Sequence, residues 1–128
     1  MKRMIIFLGV LLATSACQTA STFDTKGKKA MTTQELTAAF VGNTVSGESG
    51  SGTTFTKKYY PDGKLTISGV SRRTYNWNGK WAIRDNMICS EYTNGRGGCR
   101  KYYRDGNEIY RAKEDGTADG SVSIKKGI

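Results

Sequence analysis

The chain contains no histidine in its 128 residues. That absence removes Ser-His-Asp and Cys-His catalytic arrangements together, and with them most protein metal sites. Cysteine is scarce: Cys17, Cys89 and Cys99. The two later sulfurs, ten positions apart, are too few for zinc without histidine and are not spaced as a CxxC redox pair. Acidic residues number 11 against 20 basic ones. Asp62, Asp85, Asp105 and Asp115 stand where turn stereochemistry favours aspartate, so they are poor general acids or bases. Glu91 and Glu108 fall within strands, where pairing with Lys or Arg across the sheet accounts for them. No strand, glycine loop and helix follow one another to hold a phosphate. After the N-terminal segment no apolar run is long enough to span a membrane. The expectation is a protein that is not an enzyme and has no metal and no cofactor.

What is present begins with an export signal. Lys2 and Arg3 precede an apolar run from Met4 to Ala13, and small residues follow at Thr14, Ser15 and Ala16. This is the pattern of a secretory signal peptide over residues 1–16. Leu11 to Cys17, LLATSAC, resembles the lipobox of bacterial lipoproteins, with Thr14 where that family usually has Leu. The resemblance implies that Cys17 is lipidated and becomes the mature N-terminus, tying the protein to the membrane through several acyl chains. Gln18 replaces the aspartate that resembles an inner-membrane retention signal. Acylation of Cys17 also leaves an even cysteine pair. The expected location is the periplasmic side of the outer membrane. Ordinary signal cleavage would instead give a soluble periplasmic or secreted protein. Without Lys2 and Arg3 the basic residues fall to 18 and the net charge to +7. That balance favours anionic partners such as lipid headgroups, acidic polysaccharide or lipopolysaccharide, and it also serves solubility. Nucleic acid is not expected for an exported chain.

Residues 17–31 are polar, rich in Thr and Lys, and read as a flexible tether. A single domain is expected over 32–128. Thr32 and Glu35 form a capping box, and Leu36 and Phe40 share the buried face of a short helix over about 33–41, ended by Gly42. Strand signals follow to the C-terminus. Pro61-Asp62-Gly63 closes a first hairpin that pairs Tyr59 with Leu65 and buries Phe55, Tyr59, Leu65 and Ile67. Lys57 falls on that buried face and is expected to run its charge out to solvent. Asn78-Gly79 predicts a second hairpin between 72–77 and 80–84, which places Trp77 and Trp81 on opposite faces. Asp85-Asn86 predicts a turn pairing Ile83 with Ile88 and Trp81 with Ser90, so that Trp81, Ile83, Ile88 and Tyr92 form one apolar core face. A turn at Asp105-Gly106 pairs Tyr102 with Ile109. A last strand over 121–125 buries Val122 and Ile124. The fold class is therefore mainly β: a short N-terminal helix and about eight antiparallel strands in a meander, forming a small barrel or strongly curved sheet with the helix over an open edge or face. Cys89 and Cys99 are expected to form its one disulfide, clamping the outer side of the Tyr75 and Trp77 sheet.

With both tryptophans on opposite faces, Tyr75 and Trp77 would share a surface with Arg73, Lys80 and Arg84, extended by Lys101 and Tyr110. Planar rings stack on sugars and nearby cations read acidic groups. These seven residues are the candidate ligand site. The motifs Gly42-Asn43-Thr44-Val45-Ser46-Gly47, Tyr59-Tyr60-Pro61-Asp62-Gly63-Lys64 and Gly79-Lys80-Trp81, with Ile83, Cys89 and Cys99, look like an uncharacterised family of small exported alphaproteobacterial proteins. That resemblance implies an exported small β domain and brings no catalytic residue. Two functions compete. One is a non-catalytic envelope lipoprotein binding an anionic glycan or lipid surface through the aromatic and basic face. The other is a lipocalin-like or inhibitor-like barrel that holds an apolar ligand or blocks an enzyme. The second expects a continuous apolar cavity, and a barrel filled by Tyr59, Trp81 and Tyr102 would count against it.

Overall fold

The computed structural model describes residues 23–128, so the signal peptide over 1–16 and the lipidation of Cys17 lie outside the described residues. The elements are α1 (Thr33–Phe40), β1 (Asn43–Glu48), β2 (Thr54–Tyr59), β3 (Lys64–Val70), β4 (Thr74–Arg84), β5 (Met87–Tyr92), β6 (Gly97–Asp105), β7 (Glu108–Lys113) and β8 (Ala118–Lys126). Each strand is antiparallel to the next, and β1 pairs with β8, so the meander closes into an eight-stranded barrel. Inward residues alternate with polar outward ones such as Thr56, Thr66, Ser68 and Asn76. The outer wall is thus the reverse of a lipid-facing barrel, whose apolar band faces out.

The helix forms as its caps dictate. Thr32 accepts from the Glu35 amide (3.2 Å) and Glu35 accepts from the Thr32 amide (3.0 Å). Gly42 turns the chain at φ 77°, a conformation that costs glycine nothing. A closed barrel has no edge for α1 to cover, and the helix instead stops one end. Phe40 reaches rings from opposite walls, Tyr59 at 5.6 Å and Tyr102 at 4.6 Å between centroids. Leu36 and Phe40 are fully buried there. In the tether region, Phe23 stacks on Tyr110 (3.9 Å, 3° between planes), Thr25 donates to the Gly116 carbonyl and the Met31 amide donates to the Tyr102 carbonyl. Phe23 to Met31 is therefore packed along β6 and β7.

Most of the expected register holds: Tyr59 pairs with Leu65, Ile83 with Ile88, and Trp81 with Ser90. Asp85 and Asn86 both take positive φ, 51° and 56°, as a two-residue hairpin turn requires. Three expectations are corrected. First, Asn78-Gly79 is not a turn but the middle of β4, with Gly79 paired to Leu65 on one side and Tyr92 on the other. Eleven residues of β4 ladder onto two neighbours, and that outweighs a local turn preference. The glycine is still needed, because a Cβ there would sit 2.3 Å from the Glu91 carbonyl oxygen. Second, Tyr102 pairs with Arg111 and not Ile109, because the loop is Gly106-Asn107 with Asp105 opposite Glu108. A slip of two residues keeps every side chain on its expected face. Third, Lys57 does not reach solvent. It points into the barrel and is 7 % exposed.

Cys89 and Cys99 are directly opposed on β5 and β6 and joined by a disulfide. Both sulfurs lie on the outer side of the wall, behind Ile88 and Arg100. Replacing both cysteines with alanine is expected to lower unfolding free energy by about 2.5–3 kcal/mol, the loop-closure entropy of a ring this short. Urea unfolding of the oxidised protein and the double variant checks it.

Candidate functional site

Continuity of β4 changes where the aromatic residues go. Tyr75, Trp77 and Trp81 are odd-numbered on one unbroken strand, and all three face the lumen. The tryptophans therefore share a face, contrary to the hairpin reading. Lys80 and Arg84 face outward, and Arg73 lies in the exposed turn before β4. Lys101 lies on the outer face of β6 and Tyr110 on that of β7, the latter under Phe23. Of the seven predicted site residues, the structure brings together only Tyr75 and Trp77, 4.6 Å apart by ring centroid. The disulfide likewise lies on the face opposite these rings.

The lumen has two halves. The half next to α1 is solid, filled by Phe40, Tyr59, Trp81 and Tyr102. Trp81 satisfies its indole N–H by donating to the Tyr60 carbonyl at 2.8 Å. The other half is a cavity of about 200 Å³ that opens between the 49–53 and 93–96 loops. Its walls carry Phe55, Tyr75, Trp77 and Tyr92, and its charged groups are Lys57, Arg100 and Arg111, with Arg96 at the mouth. Among the described residues the continuous apolar cavity expected for a lipocalin-like barrel holding an apolar ligand is not found; half of the lumen is filled by Tyr59, Trp81 and Tyr102. A larger depression of about 530 Å³ between α1 and Arg104 gathers no aromatic ring and is shallow surface.

Sequence alternation explains the cations. Lys57 falls between inward Phe55 and Tyr59, Arg100 is in phase with Tyr102, and Arg111 is in phase with Ile109. On β8, Asp119 answers two of them. Its Oδ2 accepts from Arg100 Nε at 2.9 Å and from Arg111 Nη2 at 2.8 Å, while its Oδ1 accepts from the Gly50 amide at 3.2 Å. Burial alone would raise the Asp119 carboxyl, but Arg111 and Arg100 outweigh it and hold it below the usual carboxylate range. Both of its oxygens thus already accept hydrogen bonds.

Lys57 has no such partner. Among the described residues its ammonium makes no ion pair or hydrogen bond. It lies 5.3 Å from the Phe55 ring centroid and 6.0 Å from that of Tyr92. Arg111 lies against the same Phe55 ring at 4.6 Å, and Arg96 caps Trp77 at 5.4 Å. Burial first, then the charges of Arg111 and Arg100, lower the Lys57 pKa from 10.5 to about 7; Asp119 opposes them only weakly. A chain without histidine thus carries a group that titrates near neutrality. Tyr92 adds a buried hydroxyl on the same cavity wall, and burial, only partly opposed by the nearby Ser90 hydroxyl, pushes its pKa up to about 12. The sequence reading missed Lys57, Arg100, Arg111 and Asp119. The signal for the three cations was their even spacing from neighbouring core residues. Asp119 carried no comparable signal.

No family model, curated protein or solved structure matches this chain.

Proposed function

We propose that the protein is a non-catalytic binding barrel of lipocalin-like use, which admits through its open end one compact anion with a flat apolar body. A single observation carries this reading: the buried Lys57 ammonium has no anionic partner and faces an open cavity. Buried charges are normally paired. Asp119 is engaged by Arg100 and Arg111 and makes no ion pair with Lys57, so a ligand carboxylate or phosphate would complete the set. Tyr75, Trp77 and Tyr92 offer ring faces for the body of the ligand. Eight-stranded barrels are just wide enough to hold one small ligand. The cavity is smaller than the roughly 300–1,000 Å³ of drug-sized sites, which fits a ligand of about one aromatic ring. An acidic polysaccharide or lipopolysaccharide would reach it only by a terminal group.

The same reading gives the protein a place in the cell. The signal-peptide pattern over 1–16, the lipobox-like Cys17 and a disulfide typical of exported domains support an anchored protein on the periplasmic side of the outer membrane. With Phe23 to Met31 packed on the wall, few residues separate such an anchor from the barrel.

Benzoate titrated against the protein and followed by tryptophan fluorescence tests the reading. Benzoate is expected to bind at least ten-fold more tightly than benzyl alcohol. Lys57 holds its proton below about pH 7 and loses it above, so benzoate affinity is expected to fall several-fold between pH 6 and 8.5. Equal binding of the neutral alcohol, with no pH dependence, would overturn the proposal.

A further inference from the structure

We infer that the cavity takes anionic carbonyl compounds and that the Lys57 amine captures them reversibly as an imine, with Arg111 and Arg100 receiving the anionic group. The inference rests on the binding reading above and extends it to a covalent step. Three observations combine. The amine is 7 % exposed and free of any hydrogen bond or ion pair among the described residues, so no acceptor holds it in the ammonium form. It borders an opening cavity whose other charged groups are guanidiniums. Those guanidiniums keep unused donors: Arg111 uses Nε and Nη2 on Asp119, and Arg100 uses Nε and Nη1, leaving Nη1 of the first and Nη2 of the second for an anion.

The charged and titratable groups around the Lys57 cavity come from five strands, Tyr75 on β4, Tyr92 on β5, Arg100 and Tyr102 on β6, Arg111 on β7 and Asp119 on β8, with Arg96 at the mouth. Two cations against one carboxylate favour the neutral amine, which is the nucleophilic form. An ordinary lysine, with a pKa near 10.4, is neutral in only about one molecule in 2,500 at pH 7. Lys57, with a pKa of about 7, is roughly half neutral there. The neutral, nucleophilic fraction at pH 7 is therefore about three orders of magnitude higher at Lys57 than at an ordinary lysine.

The step balances without an oxidant. The Nζ lone pair attacks the carbonyl carbon, the C=O π pair moves to oxygen, and one N–H proton transfers to that oxygen to give a carbinolamine. The C–O bond then breaks, the second N–H proton leaves with the hydroxyl as water, and C=N forms. Tyr92, whose ring centroid lies 6.0 Å from Nζ and whose hydroxyl burial keeps protonated, is the candidate donor to the departing oxygen.

The test uses 4-carboxybenzaldehyde with a borohydride trap, read by intact mass and peptide mapping. One adduct is expected, weighing one aldehyde less one oxygen, on Lys57, with a yield rising from pH 6 to pH 8. Benzaldehyde, which lacks the anion, is expected to give at least ten-fold less. Lys57→Met, and Lys57→Arg as a second folded control, are expected to abolish the adduct while near-ultraviolet circular dichroism stays native. Adduct spread over surface lysines and unchanged in Lys57→Met overturns the inference. So does benzoate binding with no Lys57 adduct, which leaves the binding reading standing. A Lys57 adduct without measurable benzoate binding has the opposite meaning: the covalent step holds and the non-covalent reading fails.

Discussion

Asp119→Asn is expected to lower unfolding free energy by about 3–5 kcal/mol at pH 7, a Tm fall on the order of 15 °C for a domain of this size. The substitution keeps the shape and removes the charge. Asp119 is the shared acceptor for Arg100 and Arg111, and the Arg111 side chain is only 7 % exposed. Breaking a buried ionic cluster by deleting its one anion leaves a cation in low dielectric with no partner, which is worse than never having built the cluster. Arg100 is partly exposed and can turn its charge towards water, so most of the loss falls on Arg111. The pH dependence has a definite sign. Because the folded carboxyl is held below its unfolded value, its contribution is present above about pH 4 and is lost as pH falls through the folded value. The gap between wild type and variant should therefore narrow in acid. A coupled effect follows from Lys57, whose charge Asp119 partly offsets. Adding Lys57→Met to Asp119→Asn should recover about 1–2 kcal/mol more than additivity allows. Urea unfolding of the four proteins measures both; a fully additive cycle would mean that Asp119 and Lys57 do not share a field.

How far the sequence disclosed this arrangement depends on the range of the interaction. The capping box at Thr32 and Glu35, the Asp85-Asn86 turn and the inward phase of Phe55, Tyr59, Leu65 and Ile67 are decided within a few residues, and all were legible. Asn78-Gly79 was read by the same local logic and misled. A pair that favours a tight turn in isolation was overruled by ladders to β3 and β5, formed by residues far away in the chain. That one reversal moved Trp77 from an outer surface into the lumen and dissolved the expected cluster with Arg73, Lys80 and Arg84. The aromatic and cationic combination survived with different cations, because the alternation that sends Trp77 inward also sends Lys57, Arg100 and Arg111 inward. Those three were visible as charged residues in phase with core residues. The habit of steering long charged side chains to solvent hid them, and no local rule places Asp119 opposite two of them across a closing barrel.

Lys57→Met is expected to act in the reverse direction and stabilise the protein, by about 2–4 kcal/mol at pH 7. An amine with a pKa of 10.5 when unfolded and about 7 when folded must give up its proton, or hold it in a dry site, each time the chain folds. At about 1.36 kcal/mol per unit, the cost approaches 4–5 kcal/mol below pH 7 and falls to roughly 2 kcal/mol by pH 9. The folded state binds fewer protons than the unfolded state across this window, so wild-type stability should rise with pH between about 7 and 9.5, and the advantage of the methionine should shrink over the same range. Above pH 10 the buried Tyr59, Tyr92 and Tyr102, whose hydroxyls burial holds in the protonated form, impose the opposite slope, so the comparison belongs below that point. Methionine nearly matches the lysine stem in volume and fills the space between Phe55 and Tyr92 without a charge. Thermal and urea unfolding at pH 6, 7.5 and 9 read the effect; a variant less stable than wild type at all three would show that the ammonium is compensated in the folded state. The expected outcome bears on function as much as on stability. A small barrel with a destabilising amine at its centre is trading stability for a group that meets something from outside. The same variant should gain stability and lose the pH-dependent affinity for benzoate together.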